Sequence, residues 1–187
     1  MIPQAADQAL APSLETGEGP FLRRGDQLAD AWRDFLGTMH WEWFCTLTFR
    51  EAVHPESASK RFRLWVREMN VELYGKRWAK ACHKGGLHWV CALEYQRRGV
   101  LHFHALVGGN RALGSSGVND DLFLLDRSQW ATRWDQLAGF AKLDLISDQD
   151  AAVHGYVSKY VAKGGAIDLS PNCGIRGRLP ARGVAAA

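Results

Sequence analysis

The segment from His88 to Val107 constrains the fold more than any other part of the chain. His88 to Tyr95 and Val100 to Val107 read as two strands rich in aromatic and β-branched residues around Gln96-Arg97-Arg98-Gly99, which makes a β-hairpin by composition. If Arg97-Arg98-Gly99 is a three-residue loop, a type I turn followed by Gly99 in the left-handed conformation, then Gln96 pairs with Val100 and Glu94 falls opposite His102. Residues two apart on a strand share a face. One face then carries Glu94, His102 and His104, and the other carries Trp89, Cys91, Leu93 and Tyr95 with Leu101, Phe103, Ala105 and Val107. The same register makes one face apolar and the other chemical.

The remaining pattern supplies the layers that cover such a sheet. Leu28, Ala31, Trp32 and Phe35 recur at helical spacing between Gln27 and Met39, and Trp41 to Phe49 reads as a strand. Pro55 to Tyr74 is the clearest helix, with Phe62, Trp65, Val66, Met69 and Leu73 on one face and Gly75 as its stop. Gly108-Gly109 ends the hairpin, and a Gly, Ser and Asn run leads to Asp120. Ser128 to Leu137 is a further helix, Phe140 to Ile146 a strand, and Asp150 to Lys163 a helix stopped by Gly164-Gly165. Adjacent second and third strands with helical crossovers elsewhere predict an α+β, ferredoxin-like antiparallel sheet of four to five strands. The expected organisation is a mobile arm over residues 1–25, one domain over 26–165, and an irregular basic tail over 166–187.

Composition narrows the class. The chain has 187 residues, 47% of them apolar, and 8 Trp, enough for one sizeable core. No stretch approaches the roughly 20 apolar residues of a membrane span and no secretory signal opens the chain, so a cytoplasmic protein with no membrane partner is expected. The four cysteines show no C-x-x-C spacing and read as reduced thiols. The net charge is +3, unevenly spread. From Lys60 to Lys84 eight Lys and Arg face two Glu, which suggests a polyanionic partner. Lys60, Arg61, Arg63 and Arg67 read equally well as the solvated face of an amphipathic helix. Lys76, Arg77, Trp78, Lys80 and Lys84 interleave cations with an aromatic ring, as a surface that tracks a nucleic-acid backbone and stacks a base does. Arg97 and Arg98 at the hairpin tip are the second such candidate.

Two imidazoles and a carboxylate on one strand face are a mixed nitrogen and oxygen donor set for a divalent ion, which can polarise a phosphate oxygen. Such a set does not select one metal: Mg²⁺ prefers oxygen, and Mn²⁺ or Zn²⁺ can bind more tightly. With seven histidines in the chain, chance alone yields about 0.26 H-x-H triplets, so the triplet needs support from elsewhere. That support is Tyr156-Val-Ser-Lys159-Tyr160-Val-Ala-Lys163. The four-residue step in an α-helix is about 400°, so Tyr156 and Tyr160, with Lys159 and Lys163, are expected along one stripe. Val153, Val157 and Val161 occupy an adjoining face suited to packing. A phenol is a poor nucleophile near neutral pH unless a metal or an ammonium favours its phenolate.

Together, Phe44-Cys-Thr-Leu-Thr-Phe49, His102-Phe-His104 with Glu94 eight residues upstream, and Tyr156-x-x-Lys159-Tyr160-x-x-Lys163 resemble the HUH endonucleases. The resemblance runs from about residue 41 to 165 and is to rolling-circle replication initiators of the two-tyrosine type, as in single-stranded DNA phages and small plasmids. It implies a metal-dependent, sequence-specific nick in single-stranded DNA at a replication origin, leaving a 3′-hydroxyl and a 5′-phosphotyrosine. It implies Glu94, His102 and His104 as ligands of Mg²⁺ or Mn²⁺, Tyr156 and Tyr160 as nucleophiles aided by Lys159 and Lys163, and a host helicase and DNA polymerase as partners. No G-x-x-x-x-G-K-[ST] sequence occurs, so no fused helicase is expected. Thr46 and Thr48 are expected near the site with a structural role. The rival readings are a two-tyrosine HUH transposase acting on transposon ends, a non-cleaving origin-binding initiator, and a metal-dependent phosphodiesterase of RNA without a covalent intermediate.

Overall fold

The computed structural model describes residues 24–81, 86–95, 99–109, 121–161 and 166–173. In chain order these form α1 (Arg24–Gly37), β1 (Trp43–Thr48), α2 (Pro55–Tyr74), a short α3 (Trp78–Ala81), β2 (His88–Tyr95), β3 (Leu101–Gly108), a 3₁₀ turn (Asp121–Leu124), α4 (Arg127–Leu137), β4 (Ala141–Leu145), α5 (Gln149–Tyr156), a π-helical turn (Val157–Val161) and β5 (Ala166–Leu169). The expected arm over residues 1–25 lies almost wholly outside the described residues, as does most of the tail.

The strands make one antiparallel sheet in the order β4-β1-β3-β2-β5. The first four positions, with α2 joining β1 to β2 and α4 lying between β3 and β4, are two interlocked split β-α-β units, the expected α+β arrangement. The fifth strand is a difference from the sequence reading. Ala166–Leu169, expected as the start of an irregular tail, pairs with Val90–Leu93 of β2. Four residues are too few for a periodic signal; the open edge of β2 supplies the hydrogen bonds that order them.

Two cores lie on the two faces of the sheet. On one, α2 and α4 pack Phe62, Trp65, Met69, Trp130 and Trp134 against Trp43, Leu47, Trp89, Phe103 and Val107. Here α2 forms as its sequence suggests. His54 caps it by accepting the Glu56 N–H, Pro55 opens the first turn, and the Gly75 N–H closes it on the Val71 carbonyl. Its polar side is solvated, with Lys60 paired to Glu56 and Arg63 reaching Asp168 on β5 at 2.6 Å. On the other face α1, α5 and the π turn cover Val90, Ala92 and Leu106.

Two polar residues with no clear pattern in the sequence fix how chain segments meet. Glu42 is buried, and its carboxylate accepts the N–H groups of Gly109 at 2.6 Å and Leu122 at 2.7 Å, tying together both ends of the segment 110–121. Gln149 exchanges two hydrogen bonds with the Trp41 backbone, at 2.8 and 2.6 Å, and Asp148 caps α5 by accepting the Ala151 N–H. These contacts anchor the first turn of α5 to the start of β1 and so set where its last turn ends. No helix among the described residues is long and apolar enough to cross a membrane.

Candidate active site

The site lies where β1 and β2 end and β3 begins. Glu94 pairs directly with His102 across the hairpin, in the register that the three-residue loop implies, and Gly99 adopts the required positive φ of 75°. On the other side of β3, Thr48 pairs with His102 and Thr46 with His104. Period two therefore sets five side chains from three strands on one face.

The threonines orient the imidazoles. Thr48 Oγ1 is 2.8 Å from His102 Nδ1, and Thr46 Oγ1 is 3.4 Å from His104 Nδ1. A hydroxyl at Nδ1 leaves the Nε2 side of each ring for a further partner, the usual division between an outer hydrogen bond and a metal bond. His104 Nε2 lies 3.4 Å from Glu94 Oε2. Two donors about 2.1 Å from a common ion stand roughly 3.0 to 3.4 Å apart, so this pair has the spacing of neighbouring ligands. The two imidazole centroids are 4.6 Å apart. Among the described residues no three acidic, histidine or cysteine side chains are already gathered to metal-binding geometry. The donor chemistry fits a divalent ion, with Glu94 and His104 as the spaced pair and His102 carrying a third donor of the same class.

Burial, then His102 and Lys159, hold the His104 imidazole down at about 4, so it is neutral at physiological pH, the form that ligates metal. This has a measurable consequence for the metal-free protein. The unfolded chain takes a proton on this ring near pH 6.5 and the folded chain only near pH 4. Between those values the unfolded state binds more protons, so the stability from neutral His104 is full above about 6.5 and lost as pH falls toward 4. Urea unfolding in chelator is expected to show a loss of about 2–3 kcal/mol from pH 7 to pH 4.5 that His104→Phe largely removes. Equal pH slopes in the two proteins would contradict the burial account.

The tyrosines reach this face from α5 and its continuation. α5 ends at Tyr156, and Val157–Val161 is a wider π turn instead of the α-helix expected to Lys163. The expected separation into a phenol stripe and a valine packing face does not occur. Tyr156 and Tyr160 are buried together with Val153, Val157 and Val161 in one cluster. The Tyr156 hydroxyl donates to the His104 carbonyl at 3.1 Å. The Tyr160 ring stacks on the His104 imidazole, with centroids 4.5 Å apart and planes 19° apart, and lies 5.1 Å from the Tyr156 ring. Burial pushes the Tyr156 phenol well up, with Cys91 and Tyr160 adding to it and the Ala92 backbone N–H opposing. For Tyr160 burial pushes up, Lys159 pulls down, and Glu94 pushes up. The Lys159 ammonium is 5.3 Å from the Tyr160 ring centroid.

The structure thus gathers Glu94, His102, His104, Tyr156, Lys159 and Tyr160 and adds Thr46 and Thr48, whose role was legible only as an alternation of threonines on a strand. It does not bring Lys76, Arg77 and Trp78 to this site. Lys76 and Arg77 are exposed, and Trp78 lines a groove of about 310 Å³ with Arg63, Arg67 and Asn70 beside α2, the helix on the opposite face of the sheet. A second groove, of about 680 Å³ between α2 and α4, is also on that face. Lys84, Arg97, Arg98, Lys163 and the side chain of Lys80 lie outside the described residues.

Fold and site together define a class: an α+β protein that sets a carboxylate, two imidazoles and two phenols at one end of an antiparallel sheet. The chain belongs to the replication-associated protein ORF2 family, whose model matches residues 42–165, from the foot of β1 to just past the π turn. It is a replication-associated protein by that membership. No curated protein and no solved structure matches it.

Proposed function

We propose that this chain is a metal-dependent nicking and strand-transfer enzyme of the HUH type, which initiates rolling-circle replication on single-stranded DNA at an origin. The observation that carries the reading is a phenol stacked on an imidazole that stands at ligand spacing from a carboxylate, in a member of a replication-associated family. Glu94, His102 and His104 would hold Mg²⁺ or Mn²⁺, which when bound polarises a non-bridging oxygen of the scissile phosphate. Thr46 and Thr48 orient the imidazoles. Lys159, exposed beside Tyr160, neutralises the phosphate and favours the phenolate.

A tyrosine oxygen attacks the phosphorus and the bond to the 3′ oxygen breaks. The products are a 5′-phosphotyrosine and a free 3′-hydroxyl, and the phenolic proton ends, by way of solvent, on that leaving oxygen. The 3′-hydroxyl serves a host DNA polymerase behind a host helicase, in the cytoplasm of the host cell. A later attack by a 3′-hydroxyl on the phosphotyrosine restores the phosphodiester and closes the circle.

The test is incubation with labelled single-stranded circular DNA carrying the element's origin, with Mn²⁺ or with chelator, followed by denaturing electrophoresis. A protein-DNA adduct that needs Mn²⁺ and disappears in the Tyr156→Phe, Tyr160→Phe double variant supports the proposal. Cleavage without an adduct would assign the nucleophile to water. DNA binding with neither product would favour a non-cleaving initiator.

A further inference from the structure

The two tyrosines are four residues apart and both are buried, yet their hydroxyls meet different surroundings. The Tyr156 hydroxyl is satisfied: it donates to the carbonyl of His104, the residue at the centre of the site. Its ring is only 1% exposed and is packed in the core of that sheet face. For Tyr156 to attack a phosphate, this bond must break and the ring must leave the core.

Tyr160 differs on each count. Its ring lies flat on the His104 imidazole, and its hydroxyl is buried without a hydrogen-bond partner. A buried hydroxyl without a partner costs stability that a phenylalanine would not, so its retention calls for another explanation. The charged side chains beside it, Glu94 and Lys159, are half-exposed or exposed, so a small side-chain movement opens the hydroxyl to a phosphate. The π turn Val157–Val161 separates the two roles, because it ends the α-helical repeat directly after Tyr156 and carries Tyr160 within its wider turn.

We propose that the two phenols are not interchangeable: Tyr160 is the attacking group, and Tyr156 is a positioning residue that holds the His104 backbone of β3. This rests on the nicking reading above and departs from an alternation between two nucleophiles. In the first step the Tyr160 oxygen forms the bond to phosphorus, the 3′ oxygen leaves, and the Tyr160 proton ends on it through solvent. Rejoining reverses this at the same residue, so each chain carries at most one DNA strand.

Three measurements on the whole chain test it. In chelator and without DNA, Tyr160→Phe is expected to keep or raise the thermal midpoint, since it removes an unpartnered hydroxyl, whereas Tyr156→Phe is expected to lower it by about 2–5 °C. In a Mn²⁺ titration without DNA, Tyr156→Phe is expected to weaken binding about tenfold through the loosened His104, an effect that a purely space-filling tyrosine would not produce. After nicking, trypsin cuts at Lys159 and separates the two tyrosines into different peptides. The nucleotide is expected on the peptide beginning at Tyr160, at no more than one per chain, and Tyr156→Phe is expected to retain it. Nucleotide on the Tyr156 peptide, or a midpoint that falls as far in Tyr160→Phe as in Tyr156→Phe, overturns the division of roles. Absence of any adduct in the wild type overturns the nicking reading and the attack by Tyr160, while the midpoint and Mn²⁺ results still decide the positioning role of Tyr156.

Discussion

His104→Ala is expected to reduce Mn²⁺-dependent nicking by about 10²–10³-fold or more, the range seen when one preorganised charge-stabilising group is lost. Three contacts disappear at once. The carboxylate of Glu94 loses its neighbour at 3.4 Å, the Tyr160 ring loses the imidazole on which it stacks, and Thr46 loses its cross-strand partner. The backbone carbonyl that receives the Tyr156 hydroxyl remains, so the fold is expected to survive and circular dichroism to match the wild type. Thr48→Val gives the graded comparison. It keeps the shape of the side chain and removes the hydrogen bond to His102, so a loss of about 10–100-fold is expected, the usual effect of removing an outer partner of a ligand. Single-turnover rates on an origin oligonucleotide measure both. A His104→Ala protein that nicks within about threefold of the wild type would sink the proposed site.

Gly139→Ala is expected to be the most damaging one-carbon change to the fold, at about 2–4 kcal/mol. Gly139 has a φ of +156°, and a Cβ built on it would stand 2.4 Å from the Thr48 carbonyl oxygen and 2.7 Å from the Arg50 nitrogen. Both of those atoms are backbone and neither residue can yield. The Thr48 N–H donates to Phe140 at 2.8 Å, and the Arg50 N–H donates to Ala138 at 2.9 Å, clamping the end of β1 to the turn between α4 and β4. Thr48 also holds His102, so strain here passes into the site. A fall in the thermal midpoint of about 4–15 °C is expected. Gly155→Ala, in α5 with open space where its Cβ would stand, serves as the control and is expected to be neutral or stabilising by up to about 1 kcal/mol. Similar midpoints for the two variants would show that the clamp gives way.

The hairpin was legible because its information is local. Strand period and one glycine turn determine which residues face together, and Glu94 meets His102 in the register those two features imply. α2 was legible for a similar reason, since a twenty-residue helix repeats its apolar spacing often enough to define both ends. β5 was not, because a four-residue edge strand takes its order from the neighbour it pairs with. Glu42 was also silent in the sequence. A single buried carboxylate has meaning only once Gly109 and Leu122, far along the chain, have been brought to it.

The candidate site divides along the same line. By itself the sequence determined which side chains share a strand face, and so the set Glu94, His102 and His104, because side-chain alternation is a property of the strand. Only the tertiary structure decided what surrounds each tyrosine. Helical spacing makes Tyr156 and Tyr160 equivalent, but packing against the sheet gives one hydroxyl the His104 carbonyl and leaves the other without a partner above the imidazole. Likewise the cations around Trp78 look like part of the site on paper and stand beside the opposite face in the fold. Sequence period specifies direction within one element, whereas distance between elements follows from how the layers close on one another.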